Sequence, residues 1–314
     1  MRTSAPALVS RLNVDEAQST VTVSGPSFSF VFDSARGYLT SWTINGVSVL
    51  EPDATTGAAI RPSFWRPPTD NDQPISLPYW KRFGVDVLTS QLRGLTVARA
   101  SRHNETESVI LTTTTFLSPP VLDWGWNTTT TYTIDTSGAL QVEVALSPSG
   151  AKPTHVPRVG LDCRLPRRLD AVRWLGLGPG ESYPDKRGAQ RIGIWEVDSV
   201  AELHTPYEVP QEGGNRMGTR WVTIRDAQGS GLRASAGKDT NGEFFSFRAS
   251  RYADLTVQEA KHPCDLVEEE ATLLRLDAKV AGVGTAACGP GVREDLLVKT
   301  GEMKFAFRLE PVGA

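Results

Sequence analysis

SFSFVFDSARGYLTSWTINGVSVL, residues 27–50, carries the pattern that decides the fold. Phe28, Phe30 and Phe32 alternate with other residues, then Trp42 and Ile44 do so, then Val47 and Val49. A two-residue period puts every second side chain on one face of an extended chain, so each run predicts a strand with one face buried. Asn45-Gly46 separates two of these runs. Both residues tolerate positive φ, as a two-residue hairpin turn requires. The same alternation recurs at Val21/Val23, Tyr132/Ile134, Leu140/Val142/Val144/Leu146, Phe245/Phe247 and Met303/Phe305/Phe307/Leu309. The 28 glycines and 21 prolines supply turns at the spacing of a sandwich. The expectation is an all-β chain of many antiparallel strands in two facing sheets. Helical spacing is scarce. Leu88, Leu92 and Leu95 suggest a helix over 85–95, and 252–261 suggests a second, with Asp254 early and Lys261 late.

Composition narrows the function. A net charge of −3 excludes the basic footprint of a nucleic-acid or anionic-membrane binder. No apolar stretch approaches the roughly 20 residues of a membrane span, and MRTSAPALVSRLNVDE lacks the apolar core of a signal peptide. The three cysteines, Cys163, Cys264 and Cys288, cannot all pair with one another, which fits a reducing cytoplasm. The sequons at Asn104 and Asn127 matter only in a secretory compartment.

Three polar segments are candidates for chemistry. In FWRPPTDND (64–72), Arg66 precedes Asp70, Asn71 and Asp72. These groups suit a polar pocket wall or a weak cation site of hard oxygens; equally, they suit a turn in which Arg66 neutralises the carboxylates. An EF-hand loop is excluded, because the sixth position from Asp70 is Ile75 rather than glycine. In WLGLGPGESYPDKR (174–187), the spacing of Gly176, Gly178 and Gly180 matches no nucleotide fingerprint. Glu181, Tyr183, Asp185 and Arg187 can bind sugar hydroxyls, or form a buried network that shapes a loop. In HTPYEVPQEGGNR (204–216), His204 and Glu212 are an acid/base pair for proton transfer in a stand-alone enzyme, with Tyr207, Asn215 and Arg216 as binding groups. The alternative for His204 is a loop histidine capping backbone. Zinc and serine-hydrolase motifs are missing, and neither a metal nor a cofactor is expected. Trp65, Trp80, Trp124, Trp126 and Trp195 can stack on sugars or fill the core.

Six segments fall in an order that resembles the C-terminal (small-chain, domain 5) region of the β-galactosidases of glycoside hydrolase family 2. Besides the three above, the last continued by GTRW (218–221), they are RVGLDCRLP (158–166), FSFRASRY (245–252) and LRLDAKVAGVGTAACGP (274–290). The resemblance implies an antiparallel β-supersandwich similar to that of galactose mutarotase and aldose 1-epimerase. It implies a single domain over 13–314, preceded by a leader or former interdomain linker at 1–12. Retaining glycosidases need two carboxylates about 5 Å apart, and in that family both come from a (β/α)₈ barrel that this chain lacks. The family's C-terminal domain lends a final loop to the rim of the site, in several members with a sugar-stacking Trp. Cys288 stands roughly there in this sequence.

Three functions follow. The first is the small subunit or C-terminal domain of a β-galactosidase, inactive alone and seated on a large subunit or in a homo-oligomer. The second is a stand-alone isomerase, lyase or cyclase acting by proton transfer on a sugar or other small molecule. The third is a non-catalytic carbohydrate-binding domain.

Overall fold

The computed structural model describes residues 11–100, 107–237, 244–285 and 291–313. The first alternating stretch folds as expected. β1 (Asn13–Glu16), β2 (Thr20–Ser24), β3 (Phe28–Asp33), β4 (Tyr38–Ile44) and β5 (Val47–Leu50) form an antiparallel meander in chain order. Asn45 and Gly46 take φ of 50° and 78° at the β4–β5 turn, the left-handed values that the pair predicts.

The remaining strands are β6 (Ile60–Ser63), β7 (Thr89–Ala100), β8 (Ser108–Ser118), β9 (Trp124–Asp135), β10 (Leu140–Gly150), β11 (His155–Val156), β12 (Arg158–Pro166), β13 (Ala171–Gly178), β14 (Arg191–Val197), β15 (Arg216–Thr219), β16 (Trp221–Arg225), β17 (Gly231–Ala236), β18 (Phe245–Ser250), β19 (Ala271–Val280), β20 (Val298–Lys299) and β21 (Met303–Val312). A nine-stranded sheet runs β14-β13-β16-β17-β21-β10-β9-β8-β7, and a second five-stranded sheet runs β15-β18-β19-β12-β6. β11 pairs only with β20 among the described strands.

Aromatic contacts show how the layers stack. Phe32 of β3 meets Tyr132 of β9 edge-on, while Phe245 and Phe247 of β18 meet Phe307 of β21 and Trp174 of β13. The inner face of the nine-stranded sheet therefore packs on the meander at one end and on the second five-stranded sheet at the other. The expected two facing sheets become one long sheet against two shorter ones, an antiparallel supersandwich with one continuous apolar core. Trp80, Trp124 and Trp126 are buried in that core, and Trp65 and Trp195 pack half-buried against it.

One expected helix is corrected. Residues 85–95 hold a 3₁₀ turn at Val85–Val87 followed by β7. A register shift between Leu92 and Gly94 adds a residue to β7. Leu92 and Leu95 then oppose the buried Thr115 and Thr113, so a bulge gives two leucines three apart the same face. The second helix forms as α2 (Asp254–Glu259), inside the expected range. A further helix, α1 (Ser76–Arg82), follows the 66–72 turn. Among the described residues no helix is long and apolar enough to cross a membrane.

Candidate functional site

The outer face of the second five-stranded sheet is charged. Arg61, Asp162, Arg275 and Arg248 lie directly opposite one another across β6, β12, β19 and β18. Like charges opposite each other repel, so Arg275 beside Arg248 needs an anion. Asp254, at the start of α2, supplies it, accepting from Arg248 at 3.1 Å and from Arg275 at 3.4 Å. In the next row Arg158 bonds Asp277 at 2.5 Å, both fully buried. Burial pushes the Asp277 carboxyl up even so.

The three polar segments converge against this face. Arg66, fully buried, bonds Asp72 at 2.7 Å, and Asp72 also accepts from the Thr69 amide at 2.8 Å and hydroxyl at 2.9 Å. That is the neutralised turn. Asp70 lies outside it, exposed, and exchanges hydrogen bonds with Gln211. Glu212 is buried, accepts from Tyr183 Oη at 3.0 Å and pairs with Arg275. Burial would raise the Glu212 carboxyl, but Arg275 and Arg248 outweigh it and hold it below the ordinary carboxylate range. Glu181 binds Lys186 at 2.5 Å, the Thr205 hydroxyl and Gly214 amide at 2.7 Å each, and the Tyr207 hydroxyl. These donors overcome burial and lower its carboxyl too.

Asp185 clamps the stretch that leads towards the final loop. It accepts from the amides of Val283 and Gly284 at 2.9 Å each and from the amide and hydroxyl of Thr285 at 3.1 Å each. Burial raises the carboxyl less than these bonds lower it. Asn71 donates to the Val283 carbonyl at 2.7 Å from the other side. A Cβ at Gly282 would lie 2.4 Å from Asp185 Oδ2, so the clamp closes only over a glycine. Cys288, further along, lies outside the described residues, as does Asn104.

The other expected site residues take different places. Asn215 donates to the Ser182 carbonyl at 2.8 Å. Arg216 donates to the carbonyls of Leu203, Gly214 and Pro179 at 3.0, 2.6 and 3.2 Å, lies over the Trp174 ring, and burial lowers it to about 10. Arg187 is exposed. His204 is half-buried and meets Tyr252 edge-on. Burial and then Arg248 lower its imidazole, which keeps it neutral. Glu212 bonds Tyr183 and Arg275, while the His204 ring packs against Tyr252.

The segments that build this cluster coincide with a known family. Residues 24–309 match the family described as β-galactosidase small chain. The chain belongs to that small-chain family. A β-galactosidase of Kluyveromyces lactis is 31% identical over 297 residues, 94% of this chain and 27% of the relative. One from Vibrio vulnificus is 30% identical over 296 residues, 89% of this chain and 26% of the relative. This small-chain member thus spans about a quarter of the length of the relatives it matches. Among solved structures, galactose 1-epimerase from Lactobacillus acidophilus superposes over 97% of this chain and 100% of its own, at TM-score 0.46 and 10% identity.

Sequence reasoning missed Arg158, Arg248, Asp254, Arg275 and Asp277, which hold the network together. The signal was present in β18 and β19. FSFRAS is buried at every position, and ATLLRLDAKV buries Arg275 and Asp277 among leucines. A charge inside an otherwise apolar strand needs a partner, and those charges pair with the loops and with one another.

Proposed function

We propose that this chain is the small subunit, or the corresponding C-terminal region, of a β-galactosidase, and that it shapes the rim of a site whose two reacting carboxylates lie on a barrel-bearing partner. The observation that carries the reading is how its own carboxylates are used. Asp72, Glu181, Asp185 and Glu212 are each taken up by arginine, lysine or backbone donors within the chain. The last three are held in the ionised form. A glycosidase acid needs a raised pKa on a group that reaches substrate, and a nucleophile needs an open face; Asp277, whose carboxyl is raised, is fully buried against Arg158. The others serve instead to fix loops. The Asp185 and Asn71 clamp on 282–285 supports a role in presenting the rim loop that follows.

Adding this chain to the barrel-bearing chain of the same genome should raise hydrolysis of a nitrophenyl β-galactoside. His204→Ala should raise it equally, because the imidazole has no proton-transfer role in this reading. Turnover by this chain alone that disappears with His204→Ala would overturn it in favour of the stand-alone enzyme.

A further inference from the structure

The nine-stranded sheet has two edges, and they are protected differently. β7 carries a bulge at Leu92/Gly94 and exposes Arg93 and Arg99. Bulges and edge charges are how natural sheets block further pairing. β14 has no bulge, and its exposed charges, Arg191 and Glu196, flank an uncharged stretch from Ile192 to Trp195. It pairs with β13 without a register shift, and its sequence RIGIWEV has no proline or lysine. Its outward face presents Ile192, 64% exposed, and Ile194, 56% exposed, followed by Glu196.

These isoleucines continue inward across the sheet. Ile194 lies opposite Leu175, which lies opposite Trp221, and Ile192 lies opposite Leu177. Leu175, Leu177 and Trp221 are all partly exposed. The result is an apolar strip three strands wide, about 10 Å across the strands at the usual spacing. The next row is charged: Glu196 and Arg173 lie opposite each other, and Arg225 bonds Glu196 at 3.1 Å. Arg233 covers the Trp221 ring at 4.9 Å. An apolar centre with a charged rim is the anatomy of an interface.

We infer that this strip at the β13–β14 edge is the surface on which the barrel-bearing β-galactosidase chain seats. The inference rests on the function proposed above. Two observations identify the occupant. The relatives hold the segment matching this chain inside a polypeptide about four times as long (27% coverage), so most of their chain is available to cover it. The rim offers Arg173, Arg225 and Arg233 against Glu196, which fits a partner surface with surplus carboxylates. A contiguous exposed apolar strip beside a bulge-free edge strand is an aggregation hazard unless something covers it.

The test is the affinity of the full chain for the barrel-bearing β-galactosidase chain of the same genome, measured by sedimentation together with galactoside hydrolysis. The double variant Ile192→Asp/Ile194→Asp should bind about a hundredfold more weakly, the expected loss when two central apolar contacts are replaced by charge. The matched variant Thr112→Asp/Thr129→Asp, on the outward face far from this edge, should bind within threefold of wild type. Circular dichroism checks folding, and Ile192→Thr/Ile194→Thr, which suits a strand, repeats the test if the aspartates unfold the edge. Wild-type binding and activation that survive both isoleucine variants would overturn the docking surface and leave the proposed function standing. A wild-type chain that neither binds nor activates would overturn both. Self-association through these isoleucines without binding would assign the strip to a second copy and overturn the inference.

Discussion

At the β8–β9 end of the nine-stranded sheet the two central outward rows are threonine, Thr112 facing Thr131 and Thr114 facing Thr129, flanked by Ile110 with Thr133 and Phe116 with Asn127. At the β13–β14 end they are isoleucine, leucine and tryptophan. Inward, the two ends are alike. Trp126 stacks on Phe64 at 5.2 Å under one, and Trp174 meets Phe247 at 5.7 Å under the other. The inner face answers to the core: it is mainly apolar at both ends, with the buried hydroxyls of Thr113, Thr115, Thr128 and Thr130 among its aromatic and aliphatic side chains. The outer face answers to whatever lies beyond it, so a difference there reports on surroundings rather than on folding. Threonine pairs suit a strand and water at once. An exposed Ile-Leu-Trp strip suits a strand and a partner.

The largest effect tests whether the inner face is equally important at both ends. Trp126→Ala and Trp174→Ala should each cost about 3–5 kcal/mol in urea unfolding, the usual range for a buried tryptophan. If Trp174→Ala cost under about 1 kcal/mol, the β13–β14 end would be loosely packed, and its outward isoleucines would need no partner to explain them.

Charge separates the ends next. The β13–β14 connection carries Glu181 and Asp185, and Glu212 packs beside it through Tyr183. Glu212→Gln leaves Arg275 without its buried charge partner and should cost about 3 kcal/mol at neutral pH. The pH dependence has a definite sign. Carboxyls held below their unfolded values add stability above the ordinary range near 4, and that stability is lost as pH falls through the lowered folded values. Acidification should therefore speed amide exchange in 181–187 and 283–285 before it does so in the Thr112–Thr131 region. Simultaneous loosening of both would erase the distinction.

The smallest effect is on stability at the exposed strip itself. Ile192→Thr/Ile194→Thr should change unfolding free energy by no more than about 0.5 kcal/mol per site, as surface positions do. A larger loss would mean the isoleucines pack within this chain.

Much of the fold was legible because strands with one buried face write a two-residue period. β3 follows it throughout and β10 over Leu140–Leu146, while in β21 the alternating Phe305, Phe307 and Leu309 are all buried. β7 was misread because its bulge breaks the period and places Leu92 and Leu95 on one face, which mimics a helix. The loops of the polar cluster stand out in the sequence, and FWRPPTDND, GPGESYPDKR and TPYEVPQEGGNR are joined by hydrogen bonds. The site was not legible in its partners. Nothing local in the sequence pairs Glu212 with Arg275, 63 residues on, or Asp185 with Gly284, 99 residues on. Such pairings depend on strand order, and strand order is set by the whole core.

The most direct measurement is a titration of the barrel-bearing chain with this one, following nitrophenyl β-galactoside hydrolysis. Activity should rise from near the baseline of either chain alone and saturate at an equimolar ratio. Activity that scales with this chain in the absence of the other, or that stays at baseline at every ratio, would contradict the account.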